Sequence, residues 1–379
     1  MARLLVAGLN CRPVALSAKR LGFEVHVVDF FGDVDLKRSV DGLHSVKGEY
    51  DSKKILDKAR EVAEAVKPDG LLLTSELGCN PAYVSELEAY NVLGNNAAAV
   101  SGVRVWEPFF RRLDELRIPH PESFVASDRR QARKAAEDIG FPLIVKPTHG
   151  SAGFGVELAS SPQAVLEALA THGSILVQEY VEGTDASVSA LGSGTKAEAV
   201  SVNKQLLGIP SFGCSRRFQY CGNIVPYQSE HAGECVKIAE KIGESFRLSG
   251  SFGVDFVIAD KPYVIEVNPR FQDTLECVER AFGVNLVDLH LKALKGELPK
   301  SFGAPKSVCA KGIRYAMKTT VVSGDLTRVR DCVDIYASGT RVLPDEPVCS
   351  AFGLGPTERD AFLNLQAKLC EIQGFLEEV

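Results

Sequence analysis

Residues 253–270 read GVDFVIADKPYVIEVNPR and consist of two apolar runs separated by a short polar turn. This pattern predicts a β-hairpin whose turn spans 259–262. The simplest register gives three cross-strand pairs: Asp255 with Glu266, Phe256 with Ile265, and Ile258 with Tyr263. Because side chains alternate between the two faces of a sheet, Asp255, Glu266 and Asn268 are expected to share the polar face.

The polar face of this hairpin has the donors of a hard-cation site. Directly opposed carboxylates lie roughly 5 Å apart at Cβ and repel each other, and a bound cation removes that repulsion. Mg²⁺ prefers oxygen ligands, so Asp255, Glu266 and Asn268 are candidate metal ligands. The alternative is a solvated face whose two carboxylates tolerate each other. Arg270 follows closely and can hold a phosphate or a carboxylate through its bidentate fork.

Composition excludes several function classes. The chain has 379 residues, of which 45% are hydrophobic and 24% charged, and its formal net charge is −6. An acidic chain of this kind argues against a general nucleic-acid or anionic-membrane binder, and no apolar run approaches the roughly 20 residues of a membrane span. Ten scattered cysteines without a CxxC pair, and an N-terminus without a signal-peptide pattern, predict a cytoplasmic protein.

The first 100 residues alternate strand-like and helix-like segments, which predicts a parallel sheet with helices on both faces. The first turn, at 8–13, lacks GxGxxG, so a nicotinamide cofactor is disfavoured. Glu76 follows a buried strand at the carboxyl edge of this sheet, where open α/β sheets bind ligands. It is therefore a candidate substrate residue, and the alternative is an ordinary polar loop.

A glycine-rich loop follows Lys146 and contains Gly150, Ser151, Gly153 and Gly155. Small residues let backbone N–H groups approach a polyphosphate closely, and the lysine adds a positive charge. The loop is not a P-loop, because GxxxxGK[ST] is absent. A plain flexible turn is the alternative.

Four segments resemble the ATP-grasp superfamily of carboxylate–amine ligases, in the superfamily's order: IVKP (144–147), GSAGFGV (150–156), VQEYVEG (177–183) and GVDF…VIEVNPR (253–270). The resemblance covers about residues 105–295. The segments GELP (296–299) and 332–361 resemble a narrower group, the predicted ATP-dependent carboligases related to biotin carboxylase.

The resemblance implies an α/β and α+β multidomain fold. Residues 1–105 would form a Rossmann-like N-terminal domain that precedes the ATP-grasp domain. Residues 106–300 would form the two-subdomain ATP-grasp fold, with a nucleotide lid at about 120–178 and a metal-binding subdomain at about 179–300. Residues 301–379 would form a small β-rich C-terminal domain with a closing helix.

The resemblance also implies roles for the candidate residues. The nucleotide contacts would be Lys146 at the α-phosphate, the glycine loop over the β- and γ-phosphates, Gln178, Glu179 and Val181 at the adenine, and Asp185 at the ribose. Asp255, Glu266 and Asn268 would hold one or two Mg²⁺ ions, with Mn²⁺ as an alternative. Arg270 and Lys146 would act on the transferred phosphoryl group. Arg216 and Arg217, in a predicted irregular loop at 205–229, would bind an acidic substrate, unless they form a solvated loop edge.

One position departs from the superfamily pattern. An earlier ATP-binding lysine is expected where this chain has Trp106, and Arg104 is the nearest basic residue. We interpret Trp106 as a packed structural residue, and Arg104 as the candidate replacement for the lysine.

These implications predict an ATP-dependent ligase that joins a small-molecule carboxylate to an amine through an acylphosphate, in cofactor or amino-acid-derivative biosynthesis. A homodimer is compatible with such ligases. One alternative is a biotin-carboxylase-like enzyme that uses bicarbonate; its carrier would have to be another protein, because Met317 is the only methionine besides Met1 and no Met-Lys-Met is present. Another alternative is a non-catalytic subunit that senses ATP.

Overall fold

The N-terminal region is a four-stranded parallel sheet flanked by helices, as the sequence predicts. The computed structural model describes residues 1–46, 48–150 and 153–379. The elements of this region are β1 (Arg3–Gly8), α1 (Arg12–Arg20), β2 (Glu24–Asp29), α2 (Val34–Lys37), β3 (Gly42–Ser45), α3 (Ser52–Val66), β4 (Gly70–Leu73), α4 (Pro81–Leu87) and α5 (Ala97–Arg104). The strand order is β3-β2-β1-β4 with every pairing parallel, which confirms the predicted Rossmann-like sheet.

The sequence explains why this sheet is covered on both faces. β1 and β4 are almost entirely apolar and buried, which is typical of a parallel strand between two layers of helices. α5 begins at Asn96, whose side chain accepts a hydrogen bond from the N–H of Ala99. The helix ends at Arg104, and this places a cation where the N-terminal region meets the rest of the molecule.

The second region is a small antiparallel sheet with two helices. Its elements, after the connecting helix α6 (Trp106–Glu115), are β5 (Ser123–Ala126), α7 (Arg129–Ile139), β6 (Leu143–Pro147), β7 (Glu157–Ala159), α8 (Pro162–His172) and β8 (Ile175–Glu179). The strand order is β5-β8-β6-β7. We call this region the lid. Its glycine loop connects β6 to β7, so Lys146 lies at the start of that loop.

The third region is dominated by an eight-stranded sheet. In chain order its elements are β9 (Thr184–Ser193), β10 (Ala197–Leu207), β11 (Tyr220–Val225), α9 (Ala232–Ser245), β12 (Ser249–Ile258), β13 (Pro262–Asn268), α10 (Leu275–Phe282), α11 (Leu286–Ala293), β14 (Val308–Tyr315), β15 (Thr320–Val322), β16 (Cys332–Val333), β17 (Arg341–Val342), β18 (Pro347–Gly355), α12 (Glu358–Gln373) and β19 (Leu376–Glu378). The large sheet runs β13-β12-β9-β10-β11-β14-β18-β16, and β17-β15-β19 form a separate small sheet.

One predicted loop has different bounds in this architecture, and one predicted domain boundary is not marked by the sheets. The irregular loop predicted at 205–229 is shorter, because β10 continues to Leu207 and β11 begins at Tyr220. Three strands of the segment 301–379 extend the same sheet that contains the hairpin. Sheet continuity therefore does not separate a C-terminal domain at residue 300, and that boundary stays a prediction.

Short 3₁₀ helices complete the description, at Ser75–Gly78, Glu88–Tyr90, Pro210–Phe212 and Leu326–Arg328. Within the described ranges, no helix has the length and apolarity required to cross a membrane.

Candidate active site

The predicted hairpin exists, and its strands are β12 and β13. Asp255 pairs directly with Glu266, as the sequence predicts. Beyond this pair a β-bulge shifts the register, so that Phe256 pairs with Val264 and Ile258 with Pro262. The predicted partners of Phe256 and Ile258 are therefore wrong, because one extra residue of β13 is accommodated at the bulge.

The three candidate metal ligands form one polar cluster on this hairpin. The amide nitrogen of Asn268 donates to Oδ2 of Asp255 at 3.0 Å and to Oε1 of Glu266 at 3.3 Å. A residue that the sequence did not single out, Gln205, donates to the other oxygen of Asp255 at 3.0 Å. These amide donors stabilise a carboxylate pair that otherwise repels itself.

The two carboxylates differ in their electrostatic surroundings. Burial and the neighbouring Glu266 carboxylate raise the pKa of Asp255 to about 8. Burial acts in the same sense on Glu266, but Arg104 and Lys146 outweigh it and hold the pKa of Glu266 below its ordinary value. The Asp255 side therefore lacks a positive partner that a cation could supply.

Two cations flank the hairpin. Lys146 is only 8% exposed, and burial lowers the pKa of its ammonium group. Arg104 donates from its guanidinium to Oε2 of Glu266 and to the carbonyl oxygen of Val267, both at 3.4 Å. Both cations line a cavity of about 780 Å³ that separates the lid from the large sheet.

Trp106 lies beside these cations without lining the cavity. Its ring centroid is 5.0 Å from the Lys146 ammonium and 5.4 Å from the Arg104 guanidinium carbon. Its indole N–H donates to the carbonyl oxygen of Thr148 at 3.1 Å, and its ring stacks on Phe110. The structure thus gives Trp106 a packed position, while Arg104 extends to the cavity wall.

The glycine loop is only partly at the cavity. Gly150 and Gly153 line it, whereas Gly155 packs against Pro147 and His172 and does not. The contact of Gly155 with the phosphates stays a prediction. Ser151 lies outside the described residues. Gly153 has a φ of +72°, and a Cβ there would overlap the carbonyl oxygen of Phe218. The lid loop thus rests directly on the loop between β10 and β11.

The connecting strand β8 and the start of β9 line the same cavity. Gln178, Glu179, Val181 and Asp185 all lie at its wall, and their contacts with a nucleotide stay predictions. Gln178 is buried, and its side-chain amide donates to the hydroxyl oxygen of Ser123 at 2.8 Å. Burial raises the pKa of Asp185. Gln178 and Glu179 therefore line the cavity from the lid sheet, whereas Asp185 lines it from the strand next to the hairpin in the large sheet.

Arg216 and Arg217 also line the cavity. The guanidinium of Arg216 lies 4.8 Å from the ring centroid of Phe154 in the glycine loop. Arg217 donates to the hydroxyl oxygen of Tyr180 at 2.6 Å. Each arginine therefore connects the β10–β11 loop to the lid.

The remaining predicted residues lie at the edge of the N-terminal sheet. Arg270 donates to the carbonyl oxygens of Ser75 at 3.0 Å and Phe271 at 2.7 Å. Its third contact is the side-chain oxygen of Asn268 at 3.3 Å. Glu76 lines the cavity and accepts a hydrogen bond from the hydroxyl of Tyr50 at 2.9 Å. Arg270 thus joins the hairpin to the carboxyl edge of the N-terminal sheet.

We name two parts of the cavity by the residues that line them. The hairpin end consists of Arg104, Lys146, Asp255, Glu266 and Asn268. The acidic end consists of Asn10, Phe31, Asp33, Asp334 and Tyr336. The sequence analysis did not select any residue of the acidic end.

A buried ionic network lies behind the acidic end. The guanidinium of Arg12, a fully buried side chain, contacts Glu276 in bidentate fashion at 2.9 and 2.5 Å and Asp334 at 2.6 Å. The buried Lys311 contacts Asp273 at 2.6 Å. Arg12 and Lys311 hold the pKa of Asp334 well below its ordinary value, although burial opposes this.

The donor set at the hairpin end fits a magnesium ion. It offers hard oxygen atoms from two opposed carboxylates and an amide, which is the chemistry that Mg²⁺ accepts. Across the described ranges, no group of three or more His, Cys, Asp or Glu side chains is arranged to hold a metal. A metal at the hairpin end would therefore depend on two protein carboxylates and on oxygens supplied by a phosphate ligand or water.

Comparison with known proteins gives the wider context. Residues 108–274 match the family model described as ATP-grasp domain. The chain is 28% identical over 334 residues to an uncharacterized protein of Methanocaldococcus jannaschii, covering 85% of this chain and 80% of that one. It also matches carbamoyl phosphate synthase large chains and spans about a quarter of their length, 27% for that of Clostridium acetobutylicum.

Solved structures with the same fold include two that cover almost the whole chain. A biotin carboxylase from Campylobacter jejuni has a TM-score of 0.77 at 17% identity, over 99% of this chain and 91% of that one. An L-amino acid ligase from Bacillus licheniformis has a TM-score of 0.71 at 17% identity, over 100% and 98%. At such identities the likeness concerns the fold.

Proposed function

We propose that this chain is an ATP-dependent ligase of the ATP-grasp superfamily that uses ATP and Mg²⁺ to join a small carboxylic acid to an amine; the match of residues 108–274 to the ATP-grasp domain model supports this proposal. The observation that carries this proposal is the hairpin end of the cavity. There a directly opposed carboxylate pair lies beside two buried cations. This combination suits a polyphosphate that arrives with a divalent cation.

The residues of the hairpin end divide the work of holding the nucleotide. Lys146 and Arg104 neutralise phosphate oxygens, and Arg104 takes the place of the lysine expected at Trp106. Asp255, Glu266 and Asn268 hold Mg²⁺, which supplies further neutralisation of phosphate charge when bound. Gly150 and Gly153 allow the lid loop to close over the phosphates, and β8 provides the wall for the base.

The chemistry that follows is balanced in two steps. The carboxylate oxygen of the acid attacks the γ-phosphorus of ATP, which breaks the bond to the β-phosphate oxygen and gives an acylphosphate and ADP. The amine nitrogen then attacks the acyl carbon, loses a proton, and expels inorganic phosphate to leave an amide. The chain contributes mainly orientation and fixed positive charge to both steps.

Arg270 is suited to orient the acid during the first step. Its guanidinium is fixed by the carbonyl oxygens of Ser75 and Phe271, and it lines the cavity next to Asn268. Arg216 is placed on the β10–β11 loop beneath the lid and offers a second cation for an acidic group.

A homodimer and a cytoplasmic location remain predictions.

The proposal is tested by measuring ADP release from MgATP by the full chain, over a panel of carboxylic acids paired with amines. We expect release that requires both an acid and an amine. Glu266→Gln and Asp255→Asn should each lower turnover by about 100-fold or more, because both remove charge from the metal cluster. Asp260→Asn, which alters an exposed carboxylate in the turn of the same hairpin, should leave turnover unchanged.

Other outcomes separate the alternatives. ADP release stimulated by bicarbonate alone would favour a carboxylase. Binding of MgATP in calorimetry without ADP release for any pair would favour an ATP-sensing subunit. Turnover retained in both Glu266→Gln and Asp255→Asn would refute the assignment of the metal cluster.

A further inference from the structure

The acidic end of the cavity is assembled from the N-terminal sheet edge and the C-terminal segment. The backbone N–H of Val34 donates to the carbonyl oxygen of Ile335 at 2.8 Å. The rings of Phe31 and Tyr336 pack edge to face with centroids 6.5 Å apart. Phe31 and Tyr336 therefore meet beside the segment that carries Asp33, since their neighbours Val34 and Ile335 are joined by this backbone hydrogen bond.

Asp33 is a buried carboxylate without a partner. Its side chain is 2% exposed, and its Oδ2 makes no hydrogen bond with any described residue. Although Asp33 is positioned as the N-cap of α2, its side chain makes no capping hydrogen bond there. Leaving a buried charged acceptor unpaired costs more than leaving a neutral one, so such a group calls for a ligand.

The cations closest to Asp33 in the fold are already engaged by other carboxylates. Arg12 is held by Glu276 and Asp334, and Lys311 by Asp273. Within the described part of the chain, Asp33 takes part in no ion pair shorter than 4 Å.

The neighbouring carboxylates are satisfied differently. Asp29 accepts the N–H groups of Cys11 and Gly32 at 2.8 and 2.7 Å. Asp35 accepts those of Asp334 and Ile335, both at 3.1 Å. Their negative charges remain close to Asp33, and together with burial they raise its pKa. Carboxylates therefore outnumber cations around Asp33, because Arg12, which contacts Asp334 at 2.6 Å and Asp35 at 3.5 Å, faces several negative charges at once.

We propose that the acidic end binds the ammonium group of a substrate, with the Asp33 carboxylate as its ionic partner and the rings of Phe31 and Tyr336 as its walls. A cation over an aromatic face is attracted by the ring quadrupole, and a carboxylate beside the rings adds a charge-assisted hydrogen bond. Phe31, Asp33 and Tyr336 all line the cavity, so a ligand in it can reach them. Aromatic walls suit an alkylammonium group better than a metal ion, and no metal-binding cluster of His, Cys, Asp and Glu occurs among the described residues.

This inference rests on the proposed function, in which an amine is one of the two substrates. The acidic end is continuous with the hairpin end through Arg270, whose Nε–H donates to Ser75. Thr74, next to Ser75, donates its hydroxyl to the carbonyl oxygen of Asn10 at 3.3 Å, and Asn10 contacts Asp334. The proposed substrate therefore carries a positively charged amine, and this group is bound at the end of the cavity opposite the nucleotide.

Calorimetry on the full chain tests the inference without any turnover. The probes are 1,4-diaminobutane, butylamine, lysine and arginine, each compared with a counterpart that lacks its terminal cationic group: 1,4-butanediol and butanol, which are uncharged, and norleucine and citrulline, which keep only the α-ammonium group. We expect at least one cationic probe to bind at least 10-fold more tightly than its counterpart. Asp33→Asn should weaken that binding at least 10-fold. Asp57→Asn, which removes a carboxylate exposed on α3, should leave it unchanged.

Tyr336→Leu provides a second variant in case Asp33→Asn fails to fold, and it should weaken binding of the same probe about threefold or more. The inference is overturned if none of the four cations binds, if each binds no better than its counterpart, or if a folded Asp33→Asn binds as the wild type does. MgATP titrations on the same samples report on the hairpin end. Loss of ATP binding with retained cation binding would therefore contradict the proposed function, but it would not contradict the ammonium site at the acidic end.

Discussion

The two ends of the cavity differ in their balance of positive and negative side chains. At the hairpin end, each carboxylate has an amide donor, and Glu266 has the cations Arg104 and Lys146 beside it. At the acidic end, buried carboxylates outnumber the cations, and Asp33 has no ionic partner among the described residues. This difference supports the two proposals together, a polyanion at the hairpin end and a cation at the acidic end.

The largest expected effect concerns the network behind the acidic end. Arg12→Met removes the cation that Glu276 and Asp334 share, and leaves both carboxylates buried and uncompensated. We expect a loss of about 3–5 kcal/mol in the free energy of unfolding, measured by urea denaturation.

A matched control tests whether burial causes that loss. Arg3 makes a similar two-nitrogen contact with Glu24, at 2.7 and 3.2 Å, but both side chains are about one-third exposed. Arg3→Met should destabilise the protein far less. Equal losses for the two variants would remove the distinction between the buried acidic network and an ordinary surface pair.

The next effect concerns the hairpin end. Lys146→Met should raise the dissociation constant for MgATP by about 100-fold, because a buried ammonium no longer meets the phosphates. Calorimetry measures this change, and Lys318→Met, an exposed lysine far along the chain, serves as control. Lys146→Met should still bind the cationic probes of the acidic end with the affinity of the wild type. A parallel loss of both ligands would show that the two ends are not independent.

A smaller effect decides which residue replaces the expected early lysine. Arg104→Met should weaken MgATP binding by about 10-fold, because its guanidinium lines the cavity. Trp106→Phe keeps an aromatic ring on Phe110 and should change ATP affinity little, while it lowers stability through the lost hydrogen bond to Thr148. The opposite ranking of the two variants would assign the nucleotide contact to Trp106.

The smallest effect is a pH dependence from the acidic end. Burial raises the pKa of Asp29 from 3.8 to about 6. Between these two values the folded protein binds more protons than the unfolded chain, so this group's contribution to stability rises as the pH falls through 6. Above pH 6, where Asp29 is ionised, its unfavourable contribution to the free energy of unfolding reaches its full size.

Urea denaturation at pH 7 and pH 5 measures this contribution. The stability difference between wild type and Asp29→Asn should grow by about 1 kcal/mol in favour of the wild type at pH 5. Asp41→Asn, at a carboxylate paired with Lys19 on the surface, should not show this growth. A difference that shrinks on acidification would contradict the charge excess at the acidic end.

The features that the sequence predicted are those set by short segments. The parallel N-terminal sheet follows from apolar runs such as β1 and β4, and the opposed pair Asp255 and Glu266 follows from two runs around one turn. The bulge after Asp255 was missed, because nothing in an alternating run marks which residue is extra.

The features that were missed depend on residues far apart in the chain. Arg12 and Asp334 are 322 positions apart, and Asp33 becomes notable only because Tyr336 and Ile335 are brought beside it. Gln205 contacts Asp255 from another strand of the sheet. No local pattern signals such contacts. A cluster of four acids at 29, 33, 35 and 334, where a strand carboxyl edge meets a distant loop, is visible only in the fold.

The network around Arg12 also has a consequence for how the protein is made. A ribosome that adds 5–20 residues per second needs on the order of 20 to 60 seconds to progress from Arg12 to Asp334. During that interval Arg12 has only Asp35, 3.5 Å away in the folded protein, as a counter-charge, because Glu276 and Asp334 have not yet been synthesised. The complete ionic network around Arg12 can therefore form only after the segment that contains Asp334 has been synthesised.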